Sequence, residues 1–129
     1  MHHIFETKHA PLPIGPYSQA ISAGNMIFIS GQIPLSPETG ELAGPDLAAQ
    51  THQVLKNMQA ILDAADCTIS QIVKTTVYMT DLSEFASFNK IYGEWLGTHA
   101  PARSTVQVAA LPKGSKIEIE AIVVKENHR

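Results

Sequence analysis

Lys116-Ile117-Glu118-Ile119-Glu120-Ala121-Ile122-Val123-Val124 is the most strongly patterned stretch of this chain. A β-strand turns successive side chains to opposite faces. Ile117, Ile119, Ala121 and Val123 therefore share one face, and Glu118, Glu120, Ile122 and Val124 share the other. Two carboxylates thus begin a face that ends apolar. Such a face suits either the charged end of a sheet reaching water, or a site where a carboxylate and a planar cation meet a small anionic substrate.

The cation that matters is Arg103. The chain has two arginines, and the other is its last residue, Arg129, where chain ends fray. Pro101-Ala102-Arg103-Ser104-Thr105-Val106-Gln107-Val108 reads as a strand beginning just after the proline. Arg103, Thr105 and Gln107 lie on one face, and Ser104, Val106 and Val108 on the other. Leu111-Pro112-Lys113-Gly114-Ser115 is the turn that follows. If the strands on either side of it paired as a simple hairpin, Arg103 would lie opposite Val123, and Glu118 would stand roughly 17 Å away at about 3.3 Å per residue. A joint site requires either that these strands are not direct neighbours or that the two groups meet across an interface.

Outward from this pair, Met1 to Thr7 offers a short edge strand through Ile4 and Phe5, and Ala10 to Pro16 is a proline-rich loop. Tyr17 to Ala23 alternates as a strand, Gly24-Asn25 is a two-residue hairpin signal, and Met26 to Ser30 returns as its partner. Ser30-Gly31-Gln32 closes that strand with a hydroxyl and a glycine, which lets a ligand approach the main chain. Ile33 to Pro45 is a long loop. Asp46 then caps a helix to about Ala65 whose buried stripe is Leu47, Val54, Leu55, Met58, Ile61, Leu62 and Ala65, with His52 off the stripe.

Cys67 to Gln71 connects to a β-branched strand, Ile72 to Thr80. Asp81 with Glu84 three positions on is a capping-box-like start for a second helix to about Leu96. The stripe of that helix, Phe85, Phe88, Tyr92, Trp95 and Leu96, reads as core, with Asn89 beside it. The expected architecture is an α+β two-layer plan, a mixed six-stranded sheet with two helices on one face. Strands 26–30, 72–79 and 117–124 carry apolar side chains on both faces while the helices cover only one, so the open face is expected to lie against further copies of the chain.

The bulk numbers narrow the function classes. A chain of 129 residues, 44% hydrophobic and 16% charged, suits one domain over 1–129 with little charge for a lone monomer. A net charge of -3, with nine scattered Lys and Arg residues, gives no footprint for nucleic acid. Cys67 is the lone cysteine, no apolar run approaches a membrane span, and the N-terminus lacks a signal pattern, so a soluble cytoplasmic protein is expected.

Five segments carry a resemblance: Ile14-Gly15-Pro16-Tyr17-Ser18-Gln19-Ala20, Ser30-Gly31-Gln32-Ile33-Pro34, Val73-Lys74-Thr75-Thr76-Val77, Pro101-Ala102-Arg103-Ser104 and Ile117-Glu118-Ile119-Glu120-Ala121. From about Ile14 to Val124 the chain closely resembles the Rid family of reactive intermediate deaminases, also called the YjgF family. The resemblance implies a chorismate-mutase-like homotrimer with clefts at the subunit interfaces. It also implies hydrolysis of 2-imino and 2-enamino acids, such as 2-aminoacrylate and 2-iminobutanoate, to 2-keto acids and ammonia, without metal or organic cofactor. Pyridoxal-phosphate dehydratases acting on serine or threonine release such enamines.

Carried over by position, Arg103 matches the arginine that holds the substrate carboxylate and Glu118 the carboxylate associated with the water. Tyr17, Ser30, Gly31 and Asn89 match residues lining the cleft. Thr105 falls where close relatives often have cysteine, which removes any thiol role there. A competing expectation from another class is a metabolite-binding or holdase chaperone-like protein using the same clefts and surface. Ribonuclease and translation-inhibiting activities, also linked to this family, run against the charge balance. Metal binding through His2, His3, His9, His99 and His128 is the weakest option, because the spacing matches no ligand pattern. His99 reads as a loop-surface residue.

Overall fold

The computed structural model describes residues 2–125. Six strands and two helices alternate along them: β1 (Ile4–Phe5), β2 (Ala20–Ala23), β3 (Met26–Gln32), α1 (Leu47–Ala64), β4 (Ile72–Met79), α2 (Phe85–Leu96), β5 (Ala102–Gln107) and β6 (Ile117–Val124). The strands form one mixed sheet in the order β1-β2-β3-β6-β4-β5. Among the described residues only β4 and β5 run parallel, which the α2 crossover between them permits. His128 and Arg129 fall outside the described residues.

Strand β6 sits between β3 and β4, and its alternation divides the molecule. Ile117, Ile119, Ala121 and Val123 are buried, in one cluster with Val54, Met58, Ile61 and Leu62 of α1 and Phe88 and Tyr92 of α2. Each fully buried aliphatic side chain of this kind contributes about 1.5–3 kcal/mol. Helix α1 starts where expected because the Asp46 carboxylate accepts the Ala49 N–H at 3.2 Å, and its whole anticipated stripe is buried while His52 is exposed. Among the described residues, no helix covers the opposite face of the sheet. Phe28, Val73 and Val106 are 39%, 45% and 41% exposed there. Val73 joins that face because the β4–β6 register slips between Ile72 and Lys74, adding one residue and turning two neighbours outward.

Two expectations need correction. Tyr17 to Gln19 is not strand; β2 begins at Ala20. The alternating pattern there is overridden by Gln19, which is 2% exposed. Its side-chain amide accepts the Thr7 N–H at 2.7 Å and donates toward the carbonyls of Thr7, Ala10 and Pro11 at 3.0, 3.3 and 2.8 Å. The capping box at Asp81 and Glu84 does not form either. Asp81 accepts the Ser83 N–H and caps a short 3-10 turn over Leu82–Glu84 before α2 opens at Phe85. Glu84 instead lies 4.0 Å from Lys116. The hairpin at Gly24-Asn25 does form, with Ala23 paired to Met26 and Gly24 at φ 62°, the positive φ that its first turn position requires.

Gln19 ties the whole proline-rich segment to the start of β2, so it carries the loop that presents Tyr17. Replacing Gln19 by Ala is expected to cost about 2 kcal/mol or more, because several part-buried backbone groups lose partners that are each costly to leave unpaired. Urea denaturation of the two proteins measures this, and an unchanged midpoint would refute the clamp.

Candidate functional site

The seven residues expected in the site divide into two groups. Tyr17, Ser30, Gly31 and Glu118 line one cleft of about 600 Å³, walled largely by apolar residues including Leu12, Ile14 and Pro112. Arg103 and Thr105 line another, of about 470 Å³, with Leu82 and Phe85. Asn89 belongs with the second group, its Oδ1 accepting a hydrogen bond from Arg103 Nη1 at 2.8 Å.

The sheet register explains the division. Strands β5 and β6 are not neighbours, since β4 lies between them; this excludes the simple hairpin. Arg103 pairs with Thr75, and Thr75 with Ala121, so all three point to the helix side, where the Thr75 hydroxyl is hydrogen-bonded to Tyr92 Oη at 2.6 Å. Glu118 lies three residues from Ala121 along β6, and an odd step puts it on the open face. Within one copy of the chain the cation and the carboxylate therefore occupy opposite faces.

The first cleft is shaped at Ser30-Gly31. The β3–β6 register shifts between Ile29 and Gln32, so two residues of β3 stand against one of β6 and the strand is bent at that point. Ser30 is fixed by its N–H to the Gln19 carbonyl at 2.9 Å and its hydroxyl to the Ser18 carbonyl at 2.6 Å. Glu118 lies across Gly31, whose missing side chain makes the room: a Cβ there would collide with Glu118 Oε2 and sit 2.8 Å from its Cδ. Half-burial in this position, and secondarily the neighbouring charge of Glu120, push the Glu118 carboxyl above the ordinary glutamate range.

The second cleft is built on α2. The guanidinium carbon of Arg103 lies 5.3, 5.9 and 5.1 Å from the ring centroids of Phe85, Phe88 and Tyr92. Phe85, Phe88 and Tyr92, expected as core alone, thus serve both sides: Phe88 and Tyr92 are buried in the core cluster, and all three turn ring surface toward the cation. The i, i+3, i+7 spacing of these three residues, which marked a buried stripe, gave no sign of this second use; the signal was a lone arginine on a strand following an aromatic helix. Thr105 Oγ1 is buried without a hydrogen-bond partner, alone in this among the described side chains. His99 is tied down elsewhere, its Nε2–H donating to the Ile72 carbonyl at 2.7 Å.

A family model described as Endoribonuclease L-PSP matches residues 7–125. The 2-iminobutanoate/2-iminopropanoate deaminase of Escherichia coli K12 is 52% identical over 92% of this chain and 94% of its own length. The human protein of the same name is 47% identical over 95% and 89%, and a RutC family protein of Pyrococcus horikoshii is 52% identical over 98% and 100%. Among solved structures, the Rid family protein YyfA of Yersinia pestis superposes with a TM-score of 0.94 at 47% identity, covering 96% of this chain and 99% of its own. E. coli TdcF with bound serine superposes at 0.91 and 46% identity, with coverage of 96% and 99%. The chain belongs to the Rid (YjgF, L-PSP) family.

The position of Glu118 has a pH signature. A carboxyl whose folded-state pKa is raised favours folding when protonated, and its penalty grows as pH rises from the ordinary glutamate range through the raised value. Glu118→Gln removes that charge at constant shape. The variant is expected to match wild type in acid and to be the more stable at neutral pH, the gap opening from about pH 4 upward. Thermal denaturation at stepped pH tests it; a variant less stable than wild type at neutral pH would overturn the assignment.

Proposed function

We propose that this chain is a 2-imino acid deaminase, hydrolysing 2-aminoacrylate and 2-iminobutanoate to 2-keto acids and ammonia at clefts between copies of a chorismate-mutase-like homotrimer. The observation that carries this is the placement of Arg103 and Glu118 on opposite faces of one sheet, each in its own half-cleft. Two half-sites that cannot meet within a chain are completed when the open face of one copy meets another. The exposed apolar residues of that face support such packing. Relatives at about half identity named as 2-iminobutanoate/2-iminopropanoate deaminases support the reaction class. The serine held by TdcF carries the same α-carboxylate that these substrates would offer to Arg103.

In the proposed reaction the substrate carboxylate takes two parallel N–H bonds from Arg103. 2-Aminoacrylate gains a solvent proton on its methylene carbon and so becomes the imine; the imine carbon, electrophilic once its nitrogen is protonated, is then presented to the Glu118 side of the cleft. Glu118 accepts a proton as water adds to that carbon and the C–O bond forms. The resulting amino alcohol takes that proton from Glu118 onto its nitrogen, the C–N bond breaks to release ammonia as the C=O bond forms, and the hydroxyl proton passes to solvent, balancing the one the imine nitrogen took up. The raised pKa of Glu118 suits a group that both takes and returns a proton. Tyr17, Ser30 and Gly31 line the pocket around the nitrogen and water, and Thr105 stands beside the carboxylate. Cytoplasmic pyridoxal-phosphate dehydratases are the source of substrate in this proposal, and residues 1–129 act as one functional domain.

The composite site yields a specific expectation. Keto-acid release from 2-aminoacrylate, generated in place from serine by a dehydratase, is accelerated by wild type and abolished by Arg103→Ala and by Glu118→Gln alone. Refolding the two variants together at equal amounts restores roughly a quarter of wild-type activity, since that share of interfaces joins an intact Arg103 to an intact Glu118 from another copy. No recovery in mixed oligomers of normal size would rule out a shared site, and no acceleration by assembled wild type would rule out the deaminase.

A further inference from the structure

Within one copy of the chain Arg103 is held without any formal negative charge. Among the described residues it makes no ion pair, and its one hydrogen bond goes to the neutral amide of Asn89, at 2.8 Å. The rest of its support is the π surface of Phe85, Phe88 and Tyr92, at 5.1 to 5.9 Å. Tyr92 is itself pinned by the Thr75 hydroxyl at 2.6 Å, and the pKa of its phenol, which is neutral below the ordinary tyrosine range, is pushed further up by burial. A guanidinium has five N–H donors in a rigid fork. One is spent on Asn89, and ring faces attract the cation without neutralising it.

We propose that Asn89, Phe85 and Tyr92 are positioning residues that form a neutral cradle, holding the Arg103 fork rigid while leaving its whole positive charge for a substrate carboxylate. An aspartate at position 89 would hold the arginine as firmly, but it would cancel the charge and compete for the same donors. Phe85 is the rim member of the cradle: it is half-buried, whereas Phe88 and Tyr92 are buried, and it lines the same cleft as Arg103. Its ring screens one face of the guanidinium from water, which strengthens the bond the other edge makes to an anion. The same geometry explains arginine here: a lysine ammonium has neither the flat face to lie on three rings nor the fork to grip a carboxylate while still serving Asn89.

The ligand class in this inference, a small 2-oxo or 2-imino carboxylate, rests on the deaminase proposal, so the test reads binding apart from turnover. Calorimetric titration with 2-oxobutanoate, a product that does not react further, is compared across wild type, Asn89→Asp, Phe85→Leu and Phe85→Tyr, with oligomer size and melting temperature recorded for each. Asn89→Asp is expected to bind at least roughly tenfold more weakly while melting no lower than wild type, because the new carboxylate repels the ligand yet pairs with Arg103. Phe85→Leu is expected to weaken binding about 3- to 30-fold, and Phe85→Tyr, which keeps the ring face, to restore it. A merely structural role for Asn89 would leave the affinity of Asn89→Asp within about twofold of wild type, and that result overturns the proposal, as does failure of wild type to bind 2-oxobutanoate. Binding with the expected pattern but no deamination by wild type would sink the reaction and leave the cradle standing.

Discussion

Strand β6 is the constraint on which the rest depends. A strand can only send alternate residues to alternate faces, and in β6 the two sets have different work. The set at 117, 119, 121 and 123 is buried under both helices and closes the core. The set at 118, 120, 122 and 124 is half-buried on the open face, where Glu118 lies over Gly31. A register slip of one residue would exchange the sets, driving two carboxylates into the core. The pairing of β6 with β3 on one side and β4 on the other therefore fixes the core and the cleft together. The bulges on both neighbouring strands, at Ser30-Gly31 and at Val73, show where the ladder yields so that side chains can face the cleft or the open surface.

The sheet was legible wherever a segment repeated one signal: the six strands, the two-residue hairpin and the Asp46-capped helix all follow from periodicity and turn chemistry. The failures lie where one side chain outweighs a pattern. Gln19 looks like one more polar position in an alternating run, but its amide satisfies four backbone groups of the preceding loop, and so the chain stays out of the sheet until Ala20. Glu84 has the spacing of a capping box, yet a 3-10 turn capped by Asp81 precedes α2, and Glu84 lies near Lys116 instead.

Of the site, the residue types were legible and the grouping was not. Arg103 and Glu118 stand out by scarcity and by face, but strand order is a long-range property that local pattern does not encode. The pairing of Arg103 with Thr75 and of Thr75 with Ala121 across β4 sets their distance apart and leaves them on opposite faces. The aromatic stripe of α2 is the reverse case. Its hydrophobic spacing correctly announced burial, and that same burial is what makes its rings a low-dielectric support for a cation. Core and site share atoms there, so the stripe carries two meanings that composition cannot separate.

Gly31 carries a consequence for how such sequences vary. Its lack of a side chain is demanded by the bulk of Glu118, a residue far away in the chain, and by no local turn, since its backbone does not adopt a positive φ. The two positions are therefore one unit of inheritance. A chain that shortens or loses the acid at 118 is released to accept a larger residue at 31, whereas a chain that keeps the acid must first move its side chain out of the way. Joint variation at these two sites would separate lineages that retain a carboxylate in the cleft from those that have put the fold to another use.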